Sequence, residues 1–189
     1  MANTAANVST GKPKVGGAVY AGETSATLPT DAVSTFTGFT CLGYCSEDGV
    51  TNTTEIESDE IKAWGGDTVL TLEDGKSDTF QFTLIESMNA DVLKEVYGAD
   101  NVSGSALATG ISVAVNVGEH KARAWVIDMI LKGNILKRIV IPKGTITAIG
   151  EIQYRDDAPI GYAVTVTAQS DSNGNYHYEY LQAAGTSGT

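Results

Sequence analysis

The chain has 189 residues and a formal net charge of −11, from 12 basic and 23 acidic residues. This length suits one domain that folds without disulfides or a metal, and a hydrophobic content of 42% excludes a wholly disordered chain. The acidic balance disfavours stable binding to nucleic acid or to an anionic membrane, because both surfaces are negatively charged.

The first residues are small and polar, and we expect 1–16 to form a flexible N-terminal arm. This start lacks the apolar core of a signal peptide, and no apolar run in the chain is long enough to span a bilayer. We therefore expect a protein that is made in the cytoplasm and has no membrane partner. Its single domain is expected to cover 17–182, followed by a flexible tail at 183–189.

The first predicted strands are 17–21 and 39–44. The chain is polar and acidic between 46 and 67, and a compact domain rarely keeps a structureless connection of this length without a function. We therefore expect a projecting loop, or arm, at 46–67.

A hairpin is predicted after the arm, with strands at 68–72 and 77–85. The residues between them, 73–76, contain Asp-Gly, which favours the backbone conformation of a tight hairpin turn. In the second strand, Phe80, Phe82 and Leu84 alternate with polar residues, which is typical of a half-buried strand.

One helix is predicted at 89–97. Asn89 is a suitable N-cap, apolar residues follow at helical spacing, and Gly98 can end the helix in a left-handed conformation.

Alternating patterns predict further strands at 111–117, 122–131, 135–141, 145–154, 162–168 and 176–180. A hairpin turn is expected at Asn173-Gly174. The fold is therefore expected to be mainly β, a β-sandwich or partly open barrel with one flanking α-helix, an extended arm and flexible termini.

Catalytic motifs are absent from the sequence: it contains no P-loop and no Gly-x-Ser-x-Gly. His120 and His177 lack sequence neighbours that would suggest a triad or a metal site. Cys41 and Cys45, if they share one strand, lie too far apart for a disulfide. We expect no enzymatic activity, no metal and no other cofactor.

Two patterns allow other interpretations. Glu55, Glu57 and Asp59 have the period of a strand face, which suits a solvated edge or a charged assembly contact and also a Ca²⁺ site or a carboxylate-dependent hydrolase. Tyr176, Tyr178 and Tyr180 suit cross-strand packing or a ligand platform. The second pattern keeps a carbohydrate- or receptor-binding module, such as a decoration protein, as the alternative function.

Several blocks together resemble the major tail protein, or tail tube protein, of long-tailed, siphovirus-type phages. They are LGYCSEDGV at 42–50, IKAWGGD at 61–67, FQFTLIE at 80–86 and NADVLKEVYG at 89–98. In order and spacing the resemblance extends from about residue 16 to residue 181.

The resemblance implies a virion structural protein that self-assembles in the host cytoplasm. Its subunits would form hexameric rings that stack into a tube around a tape-measure protein. The tube would contact a tail terminator and baseplate or distal tail proteins at its ends, and DNA would pass through its channel. An acidic channel wall would keep the DNA from adhering.

The resemblance also implies site residues. The arm would reach a neighbouring subunit or ring, and Trp64 would anchor the base of the arm. Its candidate contact residues are Glu47, Asp48, Glu55, Glu57, Asp59, Glu60, Lys62 and Trp64. The carboxylates of Glu55, Glu57, Asp59 and Glu60 would meet basic residues of neighbours, such as Lys12, Lys14 or Lys62.

The candidate channel-wall residues are Asp128, Glu151 and Gln153. In the predicted strand 145–154, Glu151 and Gln153 share a polar face with Thr147.

Overall fold

The computed structural model describes residues 3–116 and 118–184. Within this range the chain is mainly β with one α-helix, as predicted. The first strands are β1 (Gly11–Pro13), β2 (Val19–Gly22), β3 (Phe39–Cys41), β4 (Cys45–Lys62) and β5 (Thr68–Leu84). After helix α1 (Ala90–Tyr97) come β6 (Val102–Ser103), β7 (Ser112–Val113), β8 (Arg123–Leu131), β9 (Ile135–Ile149), β10 (Tyr162–Ala168) and β11 (Tyr178–Ala183). The predicted tail lies largely outside the described residues.

Nine of the described strands form one antiparallel sheet, whose main path is β3-β2-β8-β9-β10-β5-β4. β1 pairs with β8, and β11 pairs with β9, so both lie off this path. In the described part of the chain β3 and β4 end the main path, β1 and β11 each pair with one strand only, and the sheet is open rather than closed into a barrel. β1 lies within the predicted N-terminal arm. Residues 11–13 of that arm pair with the end of β8.

β9 is shared between two partners along one edge. Its first half, 135–140, pairs with β11, and its second half, 144–149, pairs with β10. Pro142, which has no N–H to donate, lies where the partner changes. β9 is therefore one strand where the sequence predicted two, and it ends at Ile149 rather than at Tyr154.

The predicted hairpin between the last two strands is wrong, because β10 and β11 both pair with β9 instead of with each other. A turn does form between them. The backbone N–H groups of Asn173 and Asn175 donate to Asp171 Oδ1 at 2.8 and 3.0 Å.

The hydrophobic core is centred on Trp125 of β8, which is almost completely buried. Its ring packs against Phe82, and its Nε1 donates to the carbonyl of Gly144 at 3.0 Å. A Cβ at Gly144 would lie only 2.8 Å from Val166, so the close approach of β9 and β10 requires glycine there. Removing a buried Trp side chain from such a core costs about 3–5 kcal/mol.

The helix α1 begins and ends as predicted. The Asn89 side chain accepts a hydrogen bond from the N–H of Asp91 at 3.0 Å, and Gly98 ends the helix with φ 91°. Val92, Leu93 and Val96 form the buried face that packs on the sheet core.

The predicted hairpin at 73–76 is wrong, because β5 continues through these residues. Glu73 pairs with Ser58 and Gly75 with Glu57, so the residue between them is an extra one in β5, a β-bulge. The chain instead reverses at 63–67, where Gly65 and Gly66 have positive φ and the N–H of Ala63 donates to the carbonyl of Asp67 at 2.8 Å.

Candidate functional site

The segment predicted as a loop at 46–67 is mostly β4, and it forms a long β-hairpin with β5. Val50 packs against the core, and beyond it the segment is ordered because its backbone groups are paired by β5. Every residue from 51 to 73 is exposed. We call residues 55–77 of this hairpin the hairpin arm.

An acidic row lies along one face of the hairpin arm. Glu55, Glu57 and Asp59 alternate along β4, so they share a face as predicted. The Glu60 side chain is directed to the other face, where it accepts a hydrogen bond from Thr68 Oγ1 at 3.1 Å and lies 3.9 Å from Lys62 Nζ.

The end of the hairpin arm is apolar. Ile61 and Leu70 face each other across the ladder, and these residues remain about half exposed. Leu72 and Val69 extend the patch, and Trp64 in the turn is fully exposed. Trp64 therefore lies at the tip of the arm, and its predicted position at the base is wrong. Exposed apolar groups of this kind often mark interaction surfaces.

The base of the hairpin arm is built around Asp78, which is 1% exposed. Its Oδ1 accepts hydrogen bonds from Asn52 Nδ2 at 2.8 Å and Thr54 Oγ1 at 2.9 Å, and its Oδ2 lies 2.5 Å from His177 Nδ1. This carboxylate connects both strands of the hairpin with the segment before β11. No local pattern in the sequence indicates this contact, because His177 lies far from Asp78 along the chain.

Glu47 and Asp48 lie where β4 begins. They fall between the pairs Cys45–Leu84 and Val50–Phe82, at an irregularity of the ladder, and Ser46 Oγ donates to Asp48 Oδ2 at 3.3 Å. They line a groove of about 1060 Å³. The same groove is lined by residues 11–18, which include Lys12 and Lys14.

The groove also contains the two cysteines. They do not share a strand: Cys41 ends β3, Cys45 begins β4, and both thiols are free. Burial, with smaller contributions from Cys41 and Glu86, raises the pKa of Cys45 to about 11.

Asp128 is buried inside the protomer. Its carboxylate binds the Arg138 guanidinium through Nε at 2.6 Å and Nη2 at 2.9 Å, and Lys14 Nζ lies 3.4 Å from Oδ2. At 3% exposure this carboxylate has no surface to present to a channel, which argues against its predicted role as a wall residue. Lys14 contacts this acidic residue of its own chain, whereas Lys12 is exposed.

Glu151 and Gln153 are exposed, but they follow the end of β9 instead of lying on its face. Gln153 Nε2 donates to Glu151 Oε1 at 3.3 Å. Between them Ile152 packs against the hydrophobic core, so the segment is held at the end of the sheet.

The tyrosines of β11 are already engaged with other parts of the chain. The rings of Tyr178 and Tyr180 stack with centroids 6.3 Å apart, and the Tyr178 hydroxyl donates to Asp171 Oδ2 at 2.5 Å. This hydrogen bond and those from Asn173 and Asn175 lower the pKa of Asp171. The aromatic pair thus stabilises the turn before β11, which weakens the ligand-platform interpretation.

No helix in 3–116 or 118–184 is long and apolar enough to cross a membrane. Within the same ranges no three His, Cys, Asp or Glu side chains are grouped so that they could hold a metal ion.

A family model described as phage tail tube protein matches residues 4–187. The match covers nearly the whole chain, including the hairpin arm and the groove. A search of curated proteins found no match.

Proposed function

The chain belongs to the phage tail tube protein family, and we propose that it forms the tail tube of a siphovirus-type phage as stacked hexameric rings around a DNA channel. The family match makes it a structural tail tube component of the virion. The observation that carries the proposal of ring and inter-ring contacts is the hairpin arm, an ordered element that is exposed from 55 to 73 and has an apolar tip.

The further partners follow from the same role. A tube of defined length requires a tape-measure protein inside it, a tail terminator at one end and baseplate or distal tail proteins at the other. We propose that the chain assembles with them in the host cytoplasm, and that it needs no cofactor for this.

The hairpin arm suits contact with another copy of the chain. Ile61, Val69 and Leu70 contribute little to the stability of the protomer while they remain exposed. Burying them against a neighbour would release about 25 cal/mol for each Å² of apolar surface. A heterologous contact of this kind joins identical chains into rings or stacks.

The acidic row gives the contact a charge preference. Glu55, Glu57 and Asp59 are exposed along one face, and Lys12 is exposed beside the groove. We propose that these carboxylates approach Lys12 of a neighbouring copy. Lys14 is the weaker candidate, because it already contacts Asp128.

Shortening the hairpin arm tests the proposal. Ile56 and Lys76 face each other across the ladder, so Asn-Gly in place of residues 57–75 would close the hairpin with a two-residue turn. We expect this variant to unfold cooperatively, as the unmodified chain does, but to form no tubes in negative-stain electron microscopy. Ordered tubes from the shortened chain would contradict the role of the arm.

A charge exchange provides the matched control. Glu57→Lys and Lys12→Glu should each reduce assembly, and the double variant should recover part of it if the two side chains meet between copies. Equal assembly defects in the single and double variants would exclude this pairing. The role of the apolar tip would still be tested by the shortened chain.

A further inference from the structure

Next to the acidic row of β4, the outward face of three neighbouring strands carries a patch of uncharged, mostly hydroxyl-bearing side chains. We call this surface, with its extension on β9, the threonine face. Its members on these strands are Thr51 and Thr53 of β4, Thr79 and Gln81 of β5, and Thr165 and Thr167 of β10.

The strand register brings these side chains together. Gln81 pairs with Thr51 on one side and Thr165 on the other, and Thr79 pairs in the same way with Thr53 and Thr167. The intervening residues of β5 and β10, such as Phe80 and Val166, are buried in the core. The threonine face is therefore the outward side of a sheet whose inward side is the core.

β9 extends the face by one more strand. Thr147 Oγ1 lies 2.7 Å from Thr167 Oγ1, and Thr145 Oγ1 accepts a hydrogen bond from Gln169 at 3.4 Å. With a strand spacing of about 4.8 Å, four strands give a surface about 15 Å wide. Charged side chains begin only at its borders, with Glu55 beyond Thr53 and Lys143 before Thr145.

The threonine face carries no charge, although Thr51, Thr53, Gln81 and Thr147 are exposed and its other members are half-buried. Nineteen per cent of its residues are charged and its net charge is −11. Charged side chains on exposed strands normally prevent unwanted association. Their absence over four adjacent strands indicates that this face has a function for which charge would be unsuitable.

The geometry points to the threonine face as the wall of the channel, the surface along which DNA moves; this inference rests on the proposed function. Lys or Arg on such a wall would bind phosphates and release counterions, and each would be repeated in every copy of the assembly. A dense row of carboxylates would repel the entering DNA. Uncharged hydroxyl groups stay hydrated and neither hold nor repel it.

This inference replaces the expectation of an acidic wall. Asp128 is buried in its ion pair. Glu151 and Gln153 lie at the border of the face, since the N–H of the preceding Gly150 donates to the carbonyl of Ala163 in β10 at 2.7 Å.

Lysine substitution on the face tests the inference on assembled tubes. Gln81→Lys and, as a second variant, Thr51→Lys add a positive charge at the centre of the face. Ser112→Lys on β7 adds the same charge at an exposed strand elsewhere, and Gln81→Glu changes the same position without attracting phosphate. The probe is one duplex DNA in two forms, linear and covalently closed circular, because only the linear form has an end that can enter a channel.

We expect Gln81→Lys or Thr51→Lys tubes to retain at least about tenfold more linear DNA than unmodified tubes at low salt, and to release it as salt increases. They should retain no more circular DNA than unmodified tubes do. The Ser112→Lys tubes should retain linear and circular DNA equally, and so should the Gln81→Glu tubes.

Each other outcome is decisive. Retention of linear and circular DNA alike would place the face on the outside of the tube, and retention of neither would place it away from the channel. Failure of all three face variants to assemble, while Ser112→Lys assembles, would place it between copies. Any of these overturns the inference and leaves the proposed function standing, whereas absence of tubes from the unmodified chain would count against the proposed function itself.

Discussion

Asp128 and Arg138 face each other across β8 and β9 and form a bidentate ion pair in the interior of the protomer. Arg138 also donates through Nη1 to the carbonyls of Asp31 and Ser34, both at 2.9 Å, and its guanidinium lies over the ring of Phe36. One buried arginine therefore fixes the loop before β3 onto the sheet. The ion pair with Arg138 gives Asp128, which the sequence suggested as a channel-wall residue, a role inside the protomer.

Removal of one partner of this pair should be strongly destabilising. We expect Asp128→Ala to lower the free energy of unfolding by about 3–5 kcal/mol, because Arg138 would remain buried without its counter-charge. Urea unfolding followed by circular dichroism measures the change. Lys14→Ala is the control, since this half-exposed partner should contribute less than about 1 kcal/mol. Equal effects of the two substitutions would contradict this assignment.

Trp64 should matter for assembly and not for folding. Because its side chain is fully exposed at the tip of the hairpin arm, Trp64→Ala should change the free energy of unfolding by less than about 0.5 kcal/mol. Tube formation, followed by light scattering and electron microscopy, should be impaired. Met88→Ala, at another exposed apolar residue outside the arm, should leave assembly unchanged. Normal tubes from Trp64→Ala would show that the tip is not a contact.

Asp78 should control the order of the arm's base. Asp78→Ala removes the common acceptor of Asn52, Thr54 and His177, and each lost hydrogen bond typically costs about 0.5–1.5 kcal/mol. We expect amide hydrogen exchange to increase most at the base of the hairpin arm and in the segment before β11. A uniform increase over the whole sheet would instead indicate a general loss of stability.

Cys45 should be unreactive in the folded protein. With its pKa raised from 9.0 to about 11, only about one thiol in a thousand is ionised at about pH 8, against roughly one in ten at the unshifted pKa, and the thiolate is the reactive form. In a Cys41→Ser background, alkylation by iodoacetamide should therefore be about a hundredfold slower than in the same variant unfolded by guanidinium chloride. Comparable rates in the two states would contradict the burial of this thiol.

The turn at Asp171 should contribute stability that depends on pH. Hydrogen bonds from Tyr178 and from backbone N–H groups lower the pKa of Asp171 in the folded state. The stabilisation is therefore complete above the pKa of the unfolded chain and is lost as the pH falls through the lower folded pKa. Thermal unfolding should show Asp171→Asn less stable than the unmodified chain at neutral pH, with the difference vanishing in acid. A difference independent of pH would exclude the carboxylate as its origin.

Local patterns in the sequence determined the elements that depend on near neighbours. The cap at Asn89, the end of the helix at Gly98 and the alternation of β10 were all predicted correctly, because capping and side-chain periodicity act within a few residues. The mainly β class and the phage tail tube family also followed from the sequence.

Tertiary structure decided what depends on the neighbouring strand. The Asp-Gly at 74–75 suits a tight turn or a bulge equally, and the pairing of β5 with β4 made it a bulge. The partners of Asp128 and Asp78, and the side chains that meet on the threonine face, come from strands far apart in sequence. Register between distant strands depends on the burial of the whole core, so no local pattern in the chain specifies these contacts.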